Sequence, residues 1–147
     1  MPLFRSLARL PGALLLAAAL VVPALLAGCG DAGVDRTKAQ LRVVNASEHA
    51  ELDLRIDDSV RQGRIAYGES AGYLQTDPGT RTLQLTRSAS TTPLVSIAAS
   101  LTRNRYTTLL AWGREGALQA ALLDDNAAQP DEGRALLRVF NAAPDAG

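Results

Sequence analysis

Cysteine, methionine, histidine and lysine are scarce in this chain. Each side chain occurs once, at Cys29, Met1, His49 and Lys38. One cysteine cannot form an internal disulfide, so any folded part must be held by a hydrophobic core. One histidine beside one cysteine leaves no thiolate–imidazole cluster for zinc. Charge of one sign is also lacking: 15 Lys and Arg face 15 Asp and Glu. No basic stripe is present to hold a phosphate backbone, which argues against a nucleic-acid partner. Aromatic residues make up only 4% of the chain. No segment carries a clear amphipathic helical period.

What is present begins with an apolar run. Arg5 and Arg9 precede "LPGALLLAAALVVPALLAG", residues 10–28, and the run stops at Cys29. A basic start, an apolar stretch and a small-residue end mark an export signal, which lies outside fold reasoning. Leu26-Ala27-Gly28-Cys29 resembles the bacterial lipobox. That resemblance implies diacylglycerol on the Cys29 thiol and cleavage before it. Leu26, Ala27 and Gly28 would then be the recognition residues and Cys29 the lipidation site. It also accounts for a lone cysteine in an exported protein. An uncleaved membrane helix and an ordinary secretory leader are the alternatives, and Pro11 and Pro23 interrupt the first.

The expected organisation is a signal peptide at 1–28, a flexible tether at 29–39, a β-sandwich domain at 40–128, a linker at 129–134 and a segment at 135–147. With Gly30 after Cys29, rather than an aspartate, the lipobox resemblance leans to the outer membrane in a Gram-negative source. The expected location is therefore exported and membrane-anchored, facing the periplasm or the surface. Residues 29–147 carry 13 basic and 15 acidic side chains, and a domain of that size folds without staples.

Beyond Gln40 the hydrophobic period is two. Leu52, Leu54 and Ile56 alternate with Asp53, Arg55 and Asp57, as do Leu83 and Leu85 with Thr82, Gln84 and Thr86. Such alternation predicts strands with one buried face. Turn chemistry separates the runs at Asp57-Asp58-Ser59, Asp77-Pro78-Gly79-Thr80 and Gly113-Arg114-Glu115-Gly116. Strands are expected near 40–46, 51–57, 63–67, 71–77, 80–87, 93–101, 105–112, 117–124 and 135–141. Their number and spacing predict an all-β fold, an antiparallel immunoglobulin-like β-sandwich, with a barrel as the rival.

"LRVVNAS", "AYGESAGYLQTDPGTRTLQL" at 66–85, "RYTTLLAW" at 105–112, "LLDDNAAQP" at 122–130 and the closing "LRVFNAAPDAG" resemble a bacterial family. It is numbered 4397 among the domains of unknown function. The resemblance spans Gln40 to the end. It implies an extracytoplasmic β-sandwich module, often in tandem and often on lipoproteins or surface proteins, and supplies no catalytic residues. In one place the sequence departs from its own repeat: the first copy reads "NASEHA" where the second reads "NAAPDAG".

Several residues invite a sharper chemistry. Gly68-Glu69-Ser70-Ala71-Gly72 matches the nucleophile-elbow pattern G-x-S-x-G, the basis of an alternative reading as an envelope hydrolase using Ser70. That elbow needs a helix after the serine. Here Tyr73 to Thr76 alternates as a strand and meets Asp77-Pro78-Gly79. The only histidine also precedes Ser70, against the usual order. His49 is expected as an exposed loop residue. Asp124-Asp125-Asn126 and Asp57-Asp58 lack calcium-loop spacing and are expected to make turn hydrogen bonds. Tyr106 and Trp112 share the parity of one strand, and their face is expected to be core. No catalytic residue, metal ligand or cofactor is expected. The expected partners are the membrane, through lipid on Cys29, and an envelope protein or polysaccharide.

Leu41-Arg42-Val43-Val44-Asn45-Ala46 is almost copied by Leu137-Arg138-Val139-Phe140-Asn141-Ala142. The copy is either the last strand of the first sandwich or the truncated start of a second repeat, in which case this is an accessory domain of a longer tandem-repeat protein. A lone apolar strand would expose Leu137 and Val139 or find an edge to pair with.

Overall fold

The computed structural model describes residues 34–49 and 51–143. The expected signal peptide with Leu26, Ala27 and Gly28, together with Cys29 and residues 30–33 of the expected tether, lies outside the described residues. The chain divides into units 1–34 and 35–147, and all that follows concerns the second. No helix among the described residues is long and apolar enough to cross a membrane.

Eight strands follow one another: β1 (Ala39–Ser47), β2 (Glu51–Ile56), β3 (Ser59–Ala66), β4 (Leu74–Thr76), β5 (Gly79–Arg87), β6 (Pro93–Leu101), β7 (Tyr106–Gly113) and β8 (Gln119–Asp124). They form two four-stranded sheets, ordered β4-β1-β7-β8 and β3-β2-β5-β6. The fold is the expected all-β sandwich. All pairings are antiparallel except one. β1 runs parallel to β7, with Val43 opposite Leu109 and Ala46 opposite Trp112. The chain leaves the first sheet after β1, builds β2 and β3 in the second and returns as β4. The neighbours of β1 are therefore far away in sequence, and local alternation carries no record of them.

Alternation does place the core. Leu41 and Val43 of β1, Leu52, Leu54 and Ile56 of β2, Ile65 of β3, Leu83 and Leu85 of β5 and Leu109 and Ala111 of β7 are buried between the sheets. Among the described residues this cluster is aliphatic throughout. Fully burying such a side chain is worth about 1.5–3 kcal/mol, so the sandwich holds together without a disulfide.

The turns follow their chemistry. Asp57 and Asp58 both take positive φ, as a tight β2–β3 hairpin demands. The Asp57 carboxylate accepts the Thr82 N–H at 3.0 Å and pairs with Arg81 at 3.0 Å. Gly113 has φ +109°, and a Cβ there would stand 2.5 Å from the Ala117 carbonyl oxygen. Only glycine fits that β7–β8 corner.

Three expectations are corrected. The strand foreseen at 71–77 shrinks to β4, preceded by a single bridge between Ser70 and Val44. His49 is buried rather than exposed, and its carbonyl accepts a bond from Asn45 Nδ2 at 3.1 Å. The ninth strand foreseen at 135–141 is absent: residues 135–143 carry no strand assignment and join neither sheet.

Candidate functional site

Strand β7 presents two apolar faces. Leu109 and Ala111 point into the core. Tyr106, Thr108, Leu110 and Trp112, at the other parity, stand on the outer face of the first sheet. The expected sharing of a face by Tyr106 and Trp112 is therefore met, but the face is the outer one. The reason is packing: the second sheet covers only the parity that carries Leu109 and Ala111. Arg42, Val44 and Ala46 of β1 and Ala121 and Leu123 of β8 share this outer face by register.

All aromatic residues among the described residues belong to this side. Tyr73 and Tyr106 meet edge-on at 5.0 Å between ring centroids and 88°. Trp112 meets Phe140 at 5.1 Å and 64°. Tyr67, 69% exposed, stands at the far end. There it lines an open groove of about 850 Å³ with Ala46, Ser47, Glu48, Gly68, Gly113, Ala142 and Ala143.

A polar network centres on Asp125. Tyr73 donates its hydroxyl to Asp125 Oδ2 at 2.9 Å, and the Thr108 hydroxyl donates to the same oxygen. Arg42 Nε donates to Thr108 Oγ1 at 2.8 Å, and its Nη2 stands 4.0 Å from Asp125 Oδ1. The Arg42 guanidinium also lies over the Tyr73 ring, 4.7 Å from its centroid, a cation–π placement. Burial, followed by the bond to Asp125, pushes the Tyr73 phenol above its ordinary value of 10.0, and Arg42 opposes that shift. The phenol is thus held neutral, as a donor.

Residues 135–143 lie across this face. Leu136, Arg138 and Phe140 line a groove of about 350 Å³ with Arg42, Val44, Thr108, Leu110, Leu123, Asp125 and Ala127. Arg138 Nη1 comes within 3.7 Å of Asp125 Oδ1, the atom that Arg42 also approaches. Leu110 is only 6% exposed although it belongs to the outer face, because this tail covers it. From Arg138 at Asp125 to Ala142 and Ala143 beside Gly113, the tail runs in the direction of β1.

The residues singled out in sequence fare differently. Ser70 pairs its backbone with Val44, and its hydroxyl has no hydrogen-bonded base among the described residues. His49 is buried with Nε2 unpartnered. Among the described residues no group of three or more His, Cys, Asp or Glu could hold a metal ion. Asp124 and Asn126 make local bonds: the Asn126 N–H donates to Asp124 Oδ1 at 3.0 Å, and Asn126 Oδ1 accepts the Tyr106 N–H at 2.9 Å. The bond network on Asn126 holds the Asp124 carboxyl below the usual carboxylate range, with Arg105 helping. Asn45 bonds both locally and at long range. It is fully buried; Nδ2 donates to the His49 and Ile65 carbonyls at 3.1 Å each, and Oδ1 accepts from Ser47 N and Oγ. It thereby ties β1 to β3 across the sandwich.

Sequence reasoning did not single out the Arg42–Thr108–Asp125–Tyr73 cluster. The available signal was the repeat itself, since Arg42 and Arg138 hold equivalent places in it.

The profile of a family described as "Domain of unknown function (DUF4397)" matches residues 39–147. No curated protein matches the chain. Among solved structures, the chain is similar to the N-terminal domain of AlgF from P. aeruginosa, with 22% identity and a TM-score of 0.49 over 63% of this chain and 98% of that one. The C-terminal domain of the same protein gives 22% identity and a TM-score of 0.47 over 60% of this chain and 98% of that one.

Proposed function

The chain belongs to the family described as domain of unknown function DUF4397, and from that premise we propose that it is a lipid-anchored binding module of the cell envelope. Cys29 carries the lipid, the residues before Ala39 serve as a tether, and the outer face of the sheet β4-β1-β7-β8 receives an envelope protein or polysaccharide. The tether of Gly30 to Lys38 reaches about 30 Å when extended, enough to lift that face clear of lipid headgroups. The module sits on the outer membrane where the source has one.

One observation carries the reading. Aromatic side chains are the largest apolar payload a core can take, and this chain has few. Its core nevertheless uses none of those described. Tyr73, Tyr106 and Trp112 stand instead on one outer face, beside Arg42 and Asp125, and Tyr67 is exposed at its end. Rings with flanking hydrogen-bonding groups suit both a sugar ring and a protein anchor. The reading is of a binder rather than a hydrolase, since among the described residues Ser70 has neither the following helix nor the hydrogen-bonded base that an elbow serine needs.

The test pairs two measurements. Intact mass of the membrane-extracted protein should show diacylglycerol on Cys29, and Cys29→Ser should release the domain from the membrane. Envelope components captured by the domain, whether protein or polysaccharide, should be lost with Trp112→Ala and with Tyr73→Ala. They should be retained with Val60→Ala on the other sheet. Equal capture by all the variants would refute the assigned face.

A further inference from the structure

We infer that the tail is a self-association strip through which a second copy of this chain packs on the first. The strip alternates. Leu136, Arg138 and Phe140 face the groove on their own sheet, while Leu137 and Val139 are 83% and 82% exposed. Their counterparts Leu41 and Val43, in the same sequence context in β1, are 0% and 1% exposed. The tail therefore carries a core-type face with no core beneath it. Its backbone makes no ladder hydrogen bonds with either sheet among the described residues, so both of its edges are open to another strand.

Three properties select a second copy as the occupant. The first is continuity. Leu137 and Val139, 83% and 82% exposed, stand beside Leu136 and Phe140, 63% and 40% exposed, so the apolar strip is continuous, as interaction patches are. The second is charge. Arg138 is the only charged residue from 135 to 143, and Asp125 of its own copy lies 3.7 Å away. Two such strips meet with no uncompensated like charge between them. The third is shape. A twofold axis would lay two tails side by side and antiparallel between the outer faces of two sandwiches. Each tail then keeps Leu136, Arg138 and Phe140 on its own sheet and turns Leu137 and Val139 towards the partner, an isologous contact that closes on itself. Exchange of the tail into the β1 position is disfavoured, because it would trade the burial of Leu41 and Val43 for that of Leu137 and Val139 with no net gain. The inference does not rest on the lipid anchor, and a dimer of this kind would compete with the proposed envelope ligand for the outer face.

The test uses residues 35–147, the unit that contains both sheets and the tail. Sedimentation velocity from about 10 µM to about 500 µM should show a monomer–dimer equilibrium, and Leu137→Asp with Val139→Asp should weaken it roughly 100-fold or more. Neither residue belongs to the core, so the variant should melt at the same temperature as the parent measured as a monomer. A second arm is independent of affinity. Under mild oxidation Val139→Cys should form a covalent dimer, and Val60→Cys, exposed on β3 of the other sheet, should not. A chain that stays monomeric at every concentration assigns the strip to a different partner and overturns the inference. So does a double variant that dimerises as well as the parent, or equal crosslinking at positions 139 and 60.

Discussion

Leu41–Ala46 and Leu137–Ala142 differ at one residue in six, Val44 against Phe140, yet one is a central strand and the other lies outside both sheets. In β1 the motif sits between β4 and β7 and sends Leu41, Val43 and Asn45 into the sandwich. In the tail the same side chains face solvent, and the alternate ones do the holding. Both copies keep two habits, one tertiary and one local. Each arginine approaches Asp125 Oδ1, and each asparagine accepts a backbone N–H two residues on, Ser47 in β1 and Ala143 in the tail. Local bonds are thus a property of the motif, while burial is a property of where the chain delivers it. The single difference fits this division: position 44 faces outward, and in the tail Phe140 uses that place to reach Trp112.

Substitutions at matched positions test the comparison. The largest contrast is at the first leucine. Leu41→Ala should cost about 3 kcal/mol, and Leu137→Ala should change stability by no more than about 0.5 kcal/mol. Urea unfolding at low micromolar protein checks both, and equal losses would mean that the tail is part of the cooperative core. Next are the asparagines. Asn45→Ala strands the buried donors and acceptors that it serves and should cost about 2 kcal/mol, whereas Asn141→Ala removes one exposed turn bond and should cost a few tenths. A smaller effect is expected for Phe140→Ala, which removes one ring contact worth about 1 kcal/mol. Its clearer sign is a red shift and easier acrylamide quenching of Trp112 fluorescence as the tail loosens, while Val44→Ala should leave the tail seated.

The smallest contrast separates the two arginines by pH. Tyr73 ionises above 10.0 because burial and Asp125 disfavour the phenolate, and Arg42 pulls the other way. Arg42→Ala should therefore push that ionisation higher still. Arg138→Ala should move it less, since Arg42, not Arg138, lies over the Tyr73 ring. Alkaline titration followed by phenolate absorbance reads both, with Tyr73→Phe identifying the late-titrating group. A downward move in Arg42→Ala would contradict the assigned cation–π geometry.

The same contrast explains how far the sequence could be read. Leu52-Asp53-Leu54-Arg55-Ile56 has one apolar parity, so its buried face was legible, and the aspartate and glycine turns marked most strand ends. Tyr106 to Trp112 has two apolar parities, and nothing local says which one the second sheet will cover. Alternation alone therefore reads the aromatic face as core. Asp125 appeared only as one of a pair of acidic residues. Its role depends on Arg42, Tyr73 and Thr108, brought from three separate strands and strand approaches. Nothing in the alternation near His49 marks it as buried, and the bond that holds its carbonyl comes from Asn45.

Taken alone, the sequence determined the period of two, the corners where only glycine or paired aspartates fit, the aliphatic inward positions and the absence of a disulfide. These are short-range matters of sterics and side-chain alternation, and they hold wherever the segment ends up. Tertiary structure alone decided the parallel pairing of β1 with β7, the outward turn of Trp112 and Tyr106, and the separate fates of the two Leu-Arg-Val motifs. Each of those depends on which surface is left to be covered, and that is set only when distant strands have taken their places.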